Sequence, residues 1–204
     1  MDSLHIRISS NHIYIHSDHK VAPHESSVIT PVKDAPSGFE SAGYGRIIRF
    51  SEPQTLSTLT QRAGKNLRPG NQLEGLSVAT PQQVPTGERG NIKISSVGIC
   101  AGSGGSMLNG LDVDLLFTGE LSHHEALAAT EKGQCVITVF HSNSERGFLS
   151  ERMRPALEEE VKAEIQTLAK DGGWEGGNEE FQIGVSKVDR DPFEVITLDS
   201  IQGW

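Results

Sequence analysis

The chain has 204 residues, of which 35% are apolar, with a formal net charge of −9 and two cysteines. This length and composition suffice for one sizeable core, so we expect one main globular domain and, since no apolar run approaches the roughly 20 residues of a membrane helix, no membrane-spanning segment. The negative charge disfavours nucleic acid as a partner, because phosphate backbones are bound mainly through Lys and Arg.

Residues 1–40 are polar and irregular, with three prolines between Val21 and Gly38, which predicts a poorly ordered leader. Two alternating segments within it, 5–8 and 12–15, predict a short, marginal hairpin. The first residues lack the features of a secretory signal or a transit peptide, so we expect a cytoplasmic or nuclear protein.

An α/β domain is predicted for residues 41–204. It opens with a strand at 47–50, followed by a helix that Ser51 caps, with Pro53 in the first turn and Gly64 near the end. A strand at 73–79 and an exposed loop at 81–90 come next.

The rest of the chain alternates regularly between strands and helices. Predicted strands are 92–100, 113–117, 135–140 and 181–188; predicted helices are 106–111, 122–132 and a long one at 142–170 that Pro155 kinks; 171–180 is a flexible acidic loop. This order predicts helices packed on a mixed, mainly parallel sheet, because successive parallel strands need crossover connections. Cys100 and Cys135 fall in strands, where we expect buried, reduced thiols.

In α/β folds the ligand site lies beyond the carboxyl ends of the strands. Three such corners stand out in the chain, at 100–106, 118–125 and 140–147. The first is glycine-rich, and its backbone amides at a helix start could hold an anion such as phosphate. The alternative is a tight turn that packing demands, since Met107 stands where a dinucleotide-binding spacing requires glycine.

The second corner places Glu120 and His124 four residues apart, where a carboxylate and an imidazole could exchange protons. The alternative is structural, because Ser122 and Glu125 have the spacing of a capping box, in which each side chain bonds the other residue's amide. The spacing leaves both interpretations open.

The third corner places His141 at a strand end and Glu145 in the next helical turn, so that both can converge on one point. Imidazole nitrogen and carboxylate oxygen together suit Zn²⁺, Mn²⁺ or Fe²⁺. Here too a capping box is the alternative, with Glu145 bonding the Ser142 amide. Two ligands are also fewer than the three or four that protein metal sites usually have.

Taken in order, these corners resemble the C-terminal signature of the NGG-interacting-factor family, also known as GTP cyclohydrolase 1 type 2 homologues. The similarity covers about residues 42–198, and the joint occurrence of its segments is far more specific than any one motif. The matching segments are 43–46, 100–104, 112–126, 141–149 and 189–192.

The resemblance implies one half of a fold with two similar α/β halves, which face a cleft holding a pair of metal ions and assemble into ring-shaped homo-oligomers. His141 and Glu145 match the family's C-terminal ligand pair, while Glu120 and His124 match positions beside the cleft and are candidate catalytic residues. The activities suggested for the family are GTP ring-opening hydrolysis, other metal-dependent hydrolysis of a small molecule or nucleotide, and co-regulation through protein partners.

The chain departs from the family pattern in its N-terminal part. The family's N-terminal half supplies an adjacent histidine pair and an aspartate that follows a histidine, whereas the His-His pair here, His123-His124, belongs to the C-terminal signature. The resemblance therefore implies an incomplete dimetal site, in a truncated form, a chain with a misassigned start, or one half of a split protein. Two hypotheses follow: a metal-dependent hydrolase-like protein, or a non-catalytic interaction and regulatory domain.

Overall fold

A computed structural model of the chain describes residues 22–66, 75–170, 181–189 and 191–193. Its centre is a six-stranded mixed sheet in the order β1-β2-β4-β5-β6-β3. The strands are β1 His24–Pro31, β2 Gly43–Thr55, β3 Ser77–Ala79, β4 Lys93–Ser103, β5 Leu115–Glu120 and β6 Cys135–Thr138.

Helices connect and cover these strands. They are α1 Leu56–Asn66, α2 Gly105–Leu108, α3 His123–Glu131, α4 Arg146–Phe148 and α5 Arg154–Lys170, with 3₁₀ turns at Thr86–Asn91 and Ser142–Ser144 and a π turn at Leu149–Met153. Strands β4, β5 and β6 run parallel to one another, whereas β1, β2 and β3 pair antiparallel with their neighbours. The expected mixed α/β fold is confirmed, but parallel pairing is confined to β4, β5 and β6, and three of the five strand pairings are antiparallel.

Alternate residues of the central strands enter separate cores on the two faces of the sheet. In β5, Leu115 packs in the cluster that contains Leu59 of α1, while Leu116 packs in the cluster that contains Leu108 of α2 and Ala129 of α3. Burial on both faces explains why this strand reads as a continuous apolar run. The two cores hold the carboxyl ends of β4, β5 and β6 side by side.

Two predicted boundaries at the start of the domain are wrong. Residues 24–31, within the expected leader, form β1 and pair antiparallel with β2. The helix expected after Ser51 starts only at Leu56, because 51–55 continue β2 and Gln54 pairs with Ile94 of β4. The hydroxyl of Thr55 accepts the Thr58 amide at 3.2 Å, so Thr55, and not Ser51, serves the helix start.

The final strand predicted at 181–188 is also wrong, since those residues adopt no regular secondary structure. Alternation alone does not make a strand without hydrogen-bonded pairing, and residues 181–188 pair with none of the six described strands. The predicted hairpin at 5–8 and 12–15 and the acidic loop at 171–180 lie outside the described residues.

The long helix predicted from Ser142 to Lys170 is interrupted at its start. A 3₁₀ turn comes first, and the π turn at Leu149–Met153 ends two residues before Pro155, in the first turn of α5. Proline lacks the N–H that would continue an α-helical ladder, so the irregularity falls where the residue requires it. No residue of α5 is buried against the rest of the described chain, and no helix among the described residues is long and apolar enough to span a membrane.

Candidate metal centre at the carboxyl ends of the parallel strands

Three of the candidate side chains meet where β4, β5 and β6 end. Glu120 is the last residue of β5, His141 follows β6, and Glu145 ends the 3₁₀ turn after it. His141 Nδ1 lies 2.9 Å from Glu120 Oε1, and His141 Nε2 lies 3.7 Å from Glu145 Oε1. All three side chains are about half exposed, with fractions of 47%, 49% and 48% for His141, Glu120 and Glu145, so the cluster is open to a ligand.

The Glu120 contact decides which nitrogen of His141 is available. An ionised carboxylate only accepts hydrogen bonds, so Nδ1 carries the hydrogen and, in the neutral ring, Nε2 keeps its lone pair. That lone pair belongs to the nitrogen beside Glu145. A histidine that donates one N–H to a carboxylate and presents its other nitrogen is the usual arrangement of a metal-binding imidazole.

The acidic surroundings also favour the protonated ring when no cation is present. The pKa of His141 is raised, first by the hydrogen bond to Glu120 and then by the negative charges of Glu145, Glu120 and Asp191, while partial burial opposes the shift. The cluster therefore attracts positive charge, which a proton or a metal ion can supply.

Buried hydroxyl groups hold the turn that carries His141 against the end of β4. Ser144 Oγ accepts the Gly102 amide at 2.8 Å and donates to the His141 carbonyl at 2.6 Å, while Thr118 Oγ1 donates to the Gly102 carbonyl at 3.0 Å. Phe140 has a φ of 68°, an uncommon backbone conformation for a bulky residue, at the point where the chain leaves β6. These contacts fix the backbone on either side of the candidate ligands.

The glycine-rich turn is explained by close packing around the cluster. Gly102 has a φ of 68°, and a Cβ atom there would lie 2.9 Å from Glu145 Oε1 and 3.1 Å from His141 Nε2. The amide of Gly102 donates to Ser144, and that of Gly104 donates to the Glu120 carbonyl at 3.3 Å. With two amides engaged and α2 only four residues long, the geometry favours the tight turn over the phosphate site.

The second corner forms a capping box. The Ser122 amide donates to Glu125 Oε2 at 2.8 Å, and the Glu125 amide donates to Ser122 Oγ at 3.3 Å. His124 is exposed and its ring lies 5.6 Å from that of His123, edge to face. The structure thus brings Glu120 to His141, and among the described residues it records no contact between His124 and the cluster, so a catalytic role for His124 stays a prediction.

The third corner does not form the capping box that the sequence also allowed. The 3₁₀ turn at Ser142–Ser144 has no side-chain cap from within the turn, and the Ser142 amide donates instead to Asp191 Oδ2 at 3.0 Å. Sequence reasoning assigned no role to Asp191, Ser144 or Thr118. The first lies in a segment that matched the family and the other two lie in the corners themselves, but their partners are distant in sequence.

The donor set fits part of a metal site. His141 and Glu145 supply nitrogen and oxygen ligands of the types that Zn²⁺, Mn²⁺ and Fe²⁺ accept, and the missing Cβ of Gly102 leaves room beside them. Within the described ranges, no group of three or more His, Cys, Asp or Glu side chains is arranged to hold a metal ion. Further donors would have to come from outside these residues.

Comparison with known proteins agrees with the sequence signature. The model of the Duf34/NIF3 (NGG1p interacting factor 3) family matches residues 4–171, most of the chain. The chain belongs to the NIF3 family. The resemblance predicted from the strand-end corners is therefore confirmed.

Curated NIF3 relatives are considerably longer than this chain. It is 42% identical over 153 residues to the NIF3 homolog of Schizosaccharomyces pombe, covering 75% of this chain and 47% of the relative. It is 36% identical to NGG1-interacting factor 3 of Saccharomyces cerevisiae, covering 75% and 45%, and 33% identical to human NIF3-like protein 1, covering 76% and 34%. The chain thus spans less than half the length of these relatives.

A solved structure shows the same fold. The crystal structure of a Bacillus cereus protein related to NIF3 superposes with a TM-score of 0.53 at 21% identity, covering 76% of this chain and 36% of that one. At this identity the likeness shows the NIF3-like α/β fold alone.

Proposed function

We propose that this NIF3-family chain binds a divalent metal ion through His141 Nε2 and the Glu145 carboxylate, as part of a hydrolase-like site. The observation that carries the proposal is the arrangement around His141. Its Nδ1 is held at 2.9 Å by Glu120, which turns Nε2 toward Glu145 at 3.7 Å. Glu120 is then an orienting residue, since its carboxylate oxygen is engaged with the imidazole.

A bound Zn²⁺, Mn²⁺ or Fe²⁺ would act as a Lewis acid toward an oxygen of the substrate or of water. The chain's own residues supply the first ligands, keep the imidazole in one tautomer, and surround the site with negative charge. The site is open, as the exposure of the three side chains shows. A small molecule or nucleotide, of the kind opened by GTP cyclohydrolases, is the substrate class that the family resemblance suggests.

Metal binding is tested with the purified chain after exposure to Zn²⁺, Mn²⁺ or Fe²⁺ and removal of excess ion. We expect metal that elemental analysis detects in the native chain and that His141→Ala loses. His124→Ala is the matched control, because His124 is an exposed histidine that makes no described contact with the cluster. Metal content that is low and equal in all three proteins would refute the proposal.

Catalysis is tested separately, by GTP turnover in the metal-loaded chain and in Glu145→Ala. Turnover that disappears in a folded Glu145→Ala protein would support the hydrolase-like function. If metal is bound but GTP and related nucleotides are not turned over, a binding role stands and the hydrolase-like role does not.

A second candidate function, a non-catalytic interaction domain, is favoured by the apolar surface of the C-terminal helical region. Leu149, Met153 and Leu157 follow one another at helical spacing with exposed fractions of 38%, 44% and 46%. Exposed apolar residues in register on a helix suit a partner surface, whether a second copy of the chain or another protein. The Saccharomyces cerevisiae relative is named for an interaction with NGG1.

Light scattering, which measures molar mass in solution, tests whether the chain forms a homo-oligomer through this surface. Self-association through the helix should be lost in Leu157→Glu. It should be kept in Glu158→Gln, because Glu158 is next to Leu157 in the chain but is not one of the three exposed apolar residues. A monomeric native chain would refute self-association through this surface.

A further inference from the structure

Two segments of the chain share the pattern Ser-x-x-Glu at equivalent strand-to-helix corners, yet they form different hydrogen bonds. In Ser122–Glu125 the glutamate turns back and accepts the serine amide at 2.8 Å. In the segment from Ser142 to Glu145 it does not, and the Glu145 carboxylate lies 3.7 Å from His141 Nε2. The spacing is the same but the backbone is not, because Ser122 is the extended N-cap of α3 whereas Ser142 begins a 3₁₀ turn, and the Ser142 amide has an acceptor from outside the segment.

Asp191 supplies that acceptor. Its Oδ2 accepts the Ser142 amide at 3.0 Å and its Oδ1 accepts the Phe193 amide at 3.0 Å, while the residue is only 6% exposed. The segment is also tied to the turn by an ion pair of 2.8 Å between Asp189 and Arg146. A backbone amide has one hydrogen to donate, so Asp191 and Glu145 are rivals for the Ser142 amide.

We propose that Asp191 is a positioning residue that takes the capping place at Ser142 and thereby leaves Glu145 free to face His141. The effect of Asp191 on metal affinity rests on the proposed function, whereas its competition with Glu145 for the Ser142 amide does not. The carboxylate acts over a sequence separation of 49 residues, so the geometry of the ligand pair depends on the docking of the segment that carries Asp191.

The first test measures Co²⁺ affinity by titration of the full chain. In Asp191→Ala we expect Glu145 to turn to the Ser142 amide, as Glu125 does at the other corner, and the affinity to fall about 10- to 100-fold, the usual effect of removing a residue that orients a ligand. Asp191→Asn keeps an acceptor oxygen for the Ser142 amide and should retain most of the Co²⁺ affinity of the native chain.

Asp114→Ala is the matched control. Asp114 likewise accepts two backbone amides, those of Ser95 at 2.7 Å and Ser96 at 2.9 Å, but it lies before β5, at the opposite end of the strand from the cluster. This variant should lower the melting temperature and leave Co²⁺ affinity unchanged. Unchanged affinity in Asp191→Ala, or an equal loss in both variants, would overturn the positioning role.

The second test needs no metal and follows hydrogen exchange of the Ser142 amide by NMR. The amide should be protected in the native chain, in Glu145→Ala and in Asp191→Ala, where Glu145 replaces the lost acceptor, and it should exchange rapidly in the double variant. Equally rapid exchange in Asp191→Ala and in the double variant would show that Glu145 does not compete, which overturns the inference. If the native chain binds neither Co²⁺ nor Zn²⁺, Mn²⁺ or Fe²⁺, the proposed function fails, while this exchange pattern still decides the role of Asp191.

Discussion

Replacing Gly102 with alanine tests whether the glycine-rich turn exists to make room for the ligand pair. Gly102 is buried at the end of β4 with a φ of 68°, a conformation that costs an L-residue about 1–2 kcal/mol. The added Cβ would also stand 2.9 Å from Glu145 Oε1 and 3.1 Å from His141 Nε2, so both side chains would have to move. Backbone strain and displaced ligands are separate effects, and a second glycine can separate them.

Gly133 is that matched control. It has a φ of 85°, and a Cβ there would meet no atom within 4 Å, so Gly133→Ala introduces the strain without the contacts. We expect each alanine to lower the free energy of unfolding by at least about 1–2 kcal/mol, measured by urea titration of the metal-free chains. Gly102→Ala alone should also weaken Co²⁺ binding, by about 10- to 100-fold, because the orientation of the ligands is disturbed.

The two variants are compared with the native chain in Co²⁺ affinity and in stability. If Gly102→Ala and Gly133→Ala bind Co²⁺ with the same affinity as the native chain, the turn does not lie against a working ligand pair. If Gly102→Ala is as stable as the native chain, the left-handed conformation and the close contacts assigned to it are wrong.

Three further predictions concern the surroundings of the cluster and the core. In metal-free Glu120→Gln the pKa of His141 should fall, which an NMR titration would show. Because the folded pKa of His141 is raised, its pairing with Glu120 stabilises the native chain below the unfolded pKa of about 6.5, and this stabilisation is lost as the pH rises through the folded value. A pH profile of stability that is the same in the variant and the native chain would contradict this prediction. Ser122→Ala should lower the free energy of unfolding by about 0.5–2 kcal/mol, because it removes a capping box, while Co²⁺ affinity should not change. Cys100 and Cys135 are buried, and burial raises the pKa of both thiols, that of Cys135 to about 11, so a thiol reagent at pH 8 should label them only after unfolding; rapid labelling of the native chain would refute this.

The central part of the fold could be predicted because its signals are local. The apolar run that forms β5 and the glycine that follows α3 each indicate their structure within a few residues. The predictions that are wrong concern strands, which form only by pairing with another strand that is distant in sequence. Strand β1 forms by pairing with β2, whereas residues 181–188 alternate in the same way but pair with none of the described strands.

The candidate site divides in the same way. Its members were identifiable, because the corners at 118–125 and 140–147 lie where strands end and match the NIF3 signature. The roles of these residues were not identifiable from the sequence. Glu120 looked like a proton-transfer partner of His124, but the parallel register of β5 and β6 sets it beside His141 at 2.9 Å.

The sequence by itself therefore determined the family, the α/β alternation and the residue types available for metal binding. Only the tertiary structure decided that a capping box forms between Ser122 and Glu125 and not between Ser142 and Glu145, although the two corners share the Ser-x-x-Glu pattern. The physical reason is that Ser122 is the extended N-cap of α3, whereas the amide of Ser142, inside a 3₁₀ turn, donates to Asp191, which reaches only this second corner. A hydrogen bond across 49 residues leaves no mark in the spacing of either motif.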